Sequence, residues 1–458
     1  MATKRILLNA FVMNCPGNQS PGLWTHPNDR SDHYKNIDHW IELAKTLEAA
    51  RFDGVFFADV LGPYDVYQNS RDAGLRQAVQ SPINDPLLII PAMAAVTKQL
   101  GFGVTASVTH EHPYIFARRM STLDHLTQGR IGWNIVTSYL KSASKNIGAQ
   151  QLAHDERYDV AAEFLNVCYK LWEGSWEDDA VVKDRKNKVF VDPAKVHDIK
   201  HEGTYFNVPG AHLSEPSPQR TPVIYQAGLS PKGIQFSAQN AEGIYISAPT
   251  ISIAKKYVER IRSKSQNSGR KRDEIKIFSL FTPIVGQTDA EAQAKYNAYK
   301  EHLSYEGALS LFSGWTGIDL SIYDLDDNLD YIQNNAMRSR LEIFTTVDPN
   351  KKWTIREIAE FVGIGGIGPV VAGTPEKIAD QMETWINEAG VDGFNIAYVV
   401  MPETFTDFAT YVVPVLQERG LVSKDVKQQT HRHNLFGTDH LPVHHPGKQY
   451  DQKNQSVK

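Results

Sequence analysis

Eight short apolar runs separated by segments of helical period constrain this chain's fold more than any other feature. They span Ile6 to Phe11, Gly54 to Ala58, Gly101 to Ser107, Ile131 to Val136, Pro222 to Gln226, Gly243 to Ser247, Ile275 to Leu280 and Gly393 to Tyr398. A strand that reads apolar throughout, rather than alternating, must be covered on both faces, as in a parallel sheet wrapped by helices. Eight such units predict an α/β fold, a (β/α)8 barrel of the TIM type. Two helices are marked with particular clarity. Trp40, Leu43, Ala44 and Leu47 form one apolar stripe,. The other runs over 374–389, with Thr374 as N-cap, Pro375 at the first helical position, Ile378, Met382, Trp385 and Ile386 on one face, and Gly390 past its end,.

At 458 residues the chain is longer than a minimal barrel, and three stretches do not fit one,. We expect a single domain over 1–420 with insertions around 61–86, 173–221 and 302–373, followed by a polar arm over 421–458. Long insertions in barrels build the mouth of the site at the strand C-termini. Gly363-Ile364-Gly365-Gly366-Ile367-Gly368 does not open a helix after a strand, so it reads as a tight loop rather than a nucleotide fingerprint,. His431, His433, His440, His444 and His445 lie in the arm at spacings that fit no compact zinc pattern,. No metal is expected there, and the arm is expected to pack on a neighbouring subunit. The net charge of −5 gives no attraction to nucleic acid or anionic lipid, which leaves a diffusible small molecule as partner,. With only Cys15 and Cys168, no apolar stretch of about 18–20 residues and no signal-peptide pattern, a cytoplasmic protein without disulfides is expected,.

The segment Tyr225 to Gly233 is an apolar strand breaking into a helix. Ser230 reads as N-cap and Pro231 as the first helical residue, while Gly228 permits close approach of a ligand to backbone. Unpaired N–H groups and the positive end of the helix would converge on one point suited to a phosphate, although a plain capped helix fits the same residues. A second helix begins at His154-Asp155-Glu156-Arg157-Tyr158, where the four-residue spacing lets His154 and Tyr158 face one ligand,. Capping and exposure also account for that pair.

Several motifs together resemble a known family. Asn9-Ala10-Phe11, Phe56-Phe57-Ala58-Asp59, Ser121 to Arg130, Gly132 to Ser138, His154 to Tyr158 and Gln226 to Ser230 are similar, in order, to the bacterial-luciferase-like flavin monooxygenases. Within that family they resemble the group acting on nitrilotriacetate, dibenzothiophene sulfone, dimethyl sulfide and long-chain alkanes. The resemblance implies FMN at the strand C-termini, delivered as FMNH2 by a separate NAD(P)H:FMN reductase, with O2 as co-substrate and a homodimer or homotetramer as the working form. It places Asp59, Thr105, Asn134 and Ser138 in the flavin region. His154, Tyr158 and the turn Ala227-Gly228-Leu229-Ser230 would hold the ribityl chain and phosphate. It further implies a flavin C4a-hydroperoxide that survives only where water is excluded.

Gly314-Trp315-Thr316-Gly317-Ile318-Asp319 and Thr137-Ser138-Tyr139-Leu140 look most like the enzymes acting on dimethyl sulfide, so a small thioether is the expected substrate. Cys15, Tyr64, Gln80 and Tyr158 match active-site positions of the alkane-oxidising relatives, whose two histidines are here Tyr139 and Leu311. An alkane is therefore the alternative substrate, and Cys15, Tyr64, Gln80 and Tyr139 are the catalytic candidates. Cys15 also reads as a small apolar filler. His110 and His112 join Tyr64 and Tyr139 as candidates for the substrate wall. Two different readings remain: a metal-dependent barrel hydrolase using His110, His112 and Asp59, and a relative that uses a deazaflavin for hydride transfer.

Overall fold

The computed structural model describes residues 4–329, 352–425 and 428–451. Eight parallel strands close into a barrel: β1 (Leu7–Met13), β2 (Gly54–Ala58), β3 (Gly101–Ser107), β4 (Ile131–Val136), β5 (Val223–Gln226), β6 (Gly243–Ile246), β7 (Lys276–Val285) and β8 (Gly393–Ala397). Each pairs with its neighbours in chain order, and β8 closes the ring on β1 through Leu7 opposite Gly393. All eight apolar runs of the sequence become these strands, because a strand buried on lumen and helix sides leaves no polar face. The second half of β7 continues beyond the barrel and pairs with a short strand, Val370–Gly373.

The two marked helices form as expected. Ile37–Ala49 buries Trp40, Leu43, Ala44 and Leu47. Thr374 caps Pro375–Thr384 by accepting from Lys377 N at 3.3 Å, and the helix runs on through Trp385–Ala389 to Gly390 at φ 76°. The glycine-rich segment is a tight loop in which Gly365 and Gly366 have φ 76° and 70°, a region that favours glycine,.

The lumen has its own core, built largely of rings: Phe11, Phe56, Tyr225, Tyr245 and Phe278, with Leu7 and Leu280. A separate apolar cluster stands over the strand C-termini. It joins Tyr64 and Val79 of the first insertion, Leu140 and Ala143 after β4, and the helices Tyr305–Thr316 and Ile355–Val362 of the third. Residues 330–351 of that third insertion lie outside the described residues. The second insertion carries two small hairpins, Val181–Asp184 with Val189–Val191 and His201–Glu202 with Asn207–Val208. Among the described residues no helix is long and apolar enough to cross a membrane.

Part of the polar arm is built into the barrel's own packing. From Thr430 to Tyr450 it packs within its own chain, with His431, Arg432 and His445 buried. His431 enters the N-terminal floor of the barrel, its Nε2 2.6 Å from the Tyr225 hydroxyl. Gly101 makes room, since a Cβ there would stand 2.1 Å from His431 Nδ1. Arg432 binds Glu242 through Nε to Oε1 at 2.7 Å and Nη2 to Oε2 at 3.0 Å, and donates further to the carbonyls of Thr221, Gln219 and Asp439. Such a pair offsets its desolvation only because every donor finds an acceptor.

Candidate functional site

A cavity opens at the C-terminal ends of the strands, where a barrel places its chemistry. Every strand supplies part of its wall, among them Met13, Asp59, Thr105, Asn134, Gln226, Ser247, Leu280 and Asn395. All ten residues expected to contact a cofactor (Asp59, Thr105, Asn134, Ser138, His154, Tyr158, Ala227, Gly228, Leu229 and Ser230) line this one cavity.

On the β5 side, Ser230 takes extended backbone and its hydroxyl accepts from Gly233 N at 3.1 Å, starting the helix Pro231–Asn240. The Tyr158 phenol fits between two glycines: a Cβ on either Gly228 or Gly233 would come within 2.7 Å of its oxygen. Burial raises the Tyr158 pKa, while hydrogen bonds to Ser230, Gln226 and Thr137 oppose the shift. The rings of His154 and Tyr158 lie 5.4 Å apart on one face of His154–Tyr169, as their spacing requires,. Arg157 of the same helix is buried, lines the cavity and donates to the Ser138 carbonyl. Ser138 sits at φ 52°, a strained conformation for a residue with a Cβ, and the Arg157 contact holds it there,.

Asn134 Nδ2 donates to Thr105 Oγ1 at 2.9 Å, which turns its Oδ1 elsewhere. That Oδ1, Gln226 Oε1 and Asn395 Oδ1 are buried without a protein partner, and all three side chains line the cavity. Buried acceptors left open in this way are costly unless a ligand donates to them. Asp59 is pushed up to about 7, first by burial and then by the nearby Asp85 carboxylate, against a hydrogen bond from Val60 N. A carboxyl raised in the folded state favours folding below its unfolded pKa and loses that contribution as pH rises toward 7. Asp59→Asn is therefore expected to stabilise the protein on the order of 2–4 kcal/mol at pH 8 and to change little near pH 4, as measured by urea unfolding at both values.

The catalytic candidates divide. Tyr64 donates to Gln80 Oε1 at 2.7 Å and its hydroxyl lies 2.5 Å from that of Tyr139, while Gln80 Nε2 donates to the Asn18 carbonyl at 2.8 Å. Gln80 and Tyr139 line the cavity, and Tyr64 supports them from the apolar cluster above. Cys15 is buried outside the cavity lining, donates to the Gly17 carbonyl at 3.2 Å, and has its thiol pushed up to about 12 by burial. His110 and His112 also lie outside the lining. His112 caps the helix Pro113–Leu126 by accepting from Tyr114 N at 3.3 Å, and Leu311 is buried in the apolar cluster. Sequence reasoning missed Arg157, Gln226, Asn395, Gln19 and Trp315, all of which line the cavity. Asn395 left a signal, a lone amide inside an otherwise apolar run, and Arg157 sat within the His154 to Tyr158 motif.

A profile described as luciferase-like monooxygenase matches residues 11–393. The chain belongs to the luciferase-like monooxygenase family. Among its relatives, the dimethyl-sulfide monooxygenase of Hyphomicrobium sulfonivorans is 51% identical over 450 residues, covering 98% of this chain and 94% of the relative. The crystal structure of DmoA from that organism superposes with a TM-score of 0.92 over 98% of this chain and 96% of the other. The long-chain alkane monooxygenase of Geobacillus thermodenitrificans is 49% identical, covering 98% of both chains, and the crystal structure of a long-chain alkane monooxygenase gives a TM-score of 0.91. A riboflavin lyase solved with modified FMN and riboflavin is 35% identical, with a TM-score of 0.91 over 98% of this chain and 99% of the other. This luciferase-like monooxygenase is thus a flavin-dependent oxidoreductase whose barrel matches those relatives over almost its full length.

Proposed function

We propose that the protein is the oxygenase component of a cytoplasmic two-component system, working as a homodimer or homotetramer. In this reading it takes FMNH2 from a separate NAD(P)H:FMN reductase and transfers one atom of O2 to a small organosulfur substrate, a thioether. The observation that carries the reading is the convergence of the flavin-contact candidates on one cavity beside three unpartnered amide oxygens. Those residues fit the cofactor: an amide oxygen accepts from a ring N–H, and a capped helix start with a glycine turn accepts a phosphate. Ser230, Tyr158, Gly228 and His154 would hold the phosphate and ribityl chain. Ala227 and Leu229 complete that turn, and Asp59, Thr105, Asn134 and Ser138 would border the ring. Bound reduced FMN supplies the electrons that activate O2.

The protein supplies shelter and position. The apolar cluster over the cavity, with Trp315 in its wall, keeps water from the site, and the Tyr64, Gln80 and Tyr139 chain fixes a polar edge beside it,. Cys15 is a buried, neutral thiol outside the cavity lining, so Cys15→Ala is expected to keep turnover within about twofold and to cost on the order of 1 kcal/mol of stability, checked by steady-state rates and melting,. An alkane is the second reading, favoured by the apolar wall of Met13, Phe56, Leu280 and Trp315. The test supplies FMNH2 anaerobically, admits O2, and screens dimethyl sulfide, longer thioethers and alkanes for oxygenated product by mass. Product from a thioether supports the reading. Product from alkanes alone replaces it with the second, and O2 consumption without any product removes the thioether assignment.

A further inference from the structure

Among the described residues that line the cavity, Asp59 is the only carboxyl. It follows directly on β2, at the root of the first insertion, whose far end, Asp85, caps the short helix Pro86–Leu88 by accepting from Leu87 N at 2.9 Å. Around the barrel, β3 and β4 separate β2 from β5, which carries the turn fitted for a phosphate. Asp59 thus stands on the side of the cavity away from that anion. Its carboxyl accepts from Val60 N, and the titratable groups facing it are the Asp85 carboxylate and the neutral Cys15 thiol. Burial and Asp85 both oppose a negative charge there, which holds the group up at about 7,.

The rest of the wall is a poor source of protons. Gln80 Nε2 donates to the Asn18 carbonyl at 2.8 Å, so its Oε1 is the atom that meets Tyr64 and takes the one phenolic proton of Tyr64 at 2.7 Å. Tyr139 must then give its own proton to the Tyr64 oxygen at 2.5 Å, and it turns only lone pairs to the cavity. Burial makes the Tyr158 and Tyr245 phenols weaker acids than usual. Arg157 donates to the Ser138 carbonyl, and His154 Nδ1 lies 2.7 Å from the exposed Asp155 carboxylate.

We propose that Asp59 is the proton donor of the cavity, protonating the atom of O2 that is not passed to the substrate so that it leaves as water. The proposal rests on the oxygenase reading, which supplies every reactant. Reduced FMN brings two electrons and two protons. The O–O bond breaks, one oxygen becomes bonded to the substrate, and the other takes both protons and departs as water. Asp59 gives one of those protons and is restored by one from the flavin as it returns to the oxidised form, so the carboxyl is unchanged over a cycle. A donor whose pKa lies near the working pH both holds its proton and releases it readily.

Two measurements on the full chain test this. Infrared difference spectra of unaltered protein against Asp59→Asn, taken without flavin across a pH series, read the neutral carboxyl of Asp59 directly. Its band is expected at pH 6 and is expected to fade through about pH 7. Single-turnover oxygenation with supplied FMNH2 then reads the role. Asp59→Asn keeps hydrogen-bonding groups but removes the acid, so it is expected to bind FMN as unaltered protein does, to lower product formation by at least about a hundredfold, and to lose the fall in rate that unaltered protein shows above about pH 8. Asp59→Glu is expected to recover part of the rate together with that fall. An Asp59 already ionised at pH 6, or an Asp59→Asn variant as fast as unaltered protein, would overturn the donor alone. Unaltered protein that makes no oxygenated product would overturn the oxygenase reading, and the donor with it.

Discussion

Arg432→Ala is expected to destabilise the protein by about 3–5 kcal/mol, enough to remove most of the stability of an ordinary domain. Neither partner of the Arg432 and Glu242 pair reaches solvent appreciably, with side-chain exposures of 0% and 2%. The guanidinium also satisfies the carbonyls of Gln219, Thr221 and Asp439. Its removal strands a buried carboxylate and leaves three acceptors to be resolvated. The arm would then detach from the barrel floor and take His431 away from Tyr225. Urea unfolding of Arg432→Ala, beside the double variant Arg432→Met with Glu242→Leu, checks the cause. The double variant removes both charges together and is expected to recover most of the loss. If the single variant is as stable as unaltered protein, the arm is not structural.

Gly314→Ala is expected to lower turnover by at least tenfold. Helix propensity alone predicts the opposite sign for stability, a gain of about 1 kcal/mol on replacing glycine inside Tyr305–Thr316,. Sterics outweigh it, because the added Cβ would stand 2.0 Å from Tyr64 Cδ1. Overpacking of this kind costs about 1–3 kcal/mol, so the net change in stability is small and unfavourable. The displacement falls on the group that donates to Gln80 and meets Tyr139. Turnover should therefore suffer far more than melting temperature, with FMN affinity unaltered. A variant with full activity would show that the Tyr64, Gln80 and Tyr139 chain plays no part in the reaction.

The strands were legible because their burial is simple: two covered faces leave an unbroken apolar run, as in Ile131 to Val136. The helix start at Ser230 was legible for a different reason, since a cap, a following proline and a close glycine are local chemistry written in adjacent residues. What stayed hidden depends on contacts distant in the chain. Asn395 is separated from Asn134 by most of the barrel, and only closure of β8 onto β1 brings its amide to the same cavity. Cys15 matched an active-site position by order along the chain, but its side chain turns to Gly17. The arm gave the least warning. Its composition is polar, and nothing local announces that His431 fills the space left by Gly101 or that Arg432 finds a carboxylate at the start of β6.

The central claim is that FMN is gripped, phosphate first, by the turn at Gly228 to Ser230 together with Tyr158. Fluorescence titration of FMN against unaltered protein and against the double variant Ser230→Ala with Tyr158→Phe tests it most directly. Losing two hydrogen bonds to a charged group costs about 3 kcal/mol or more, so the variant's affinity should fall roughly a hundredfold, while loss of the Ser230 cap lowers its unfolding free energy by only about 1–2 kcal/mol and leaves it folded,. Equal affinity in the two proteins, or no binding by the unaltered one, would contradict the account.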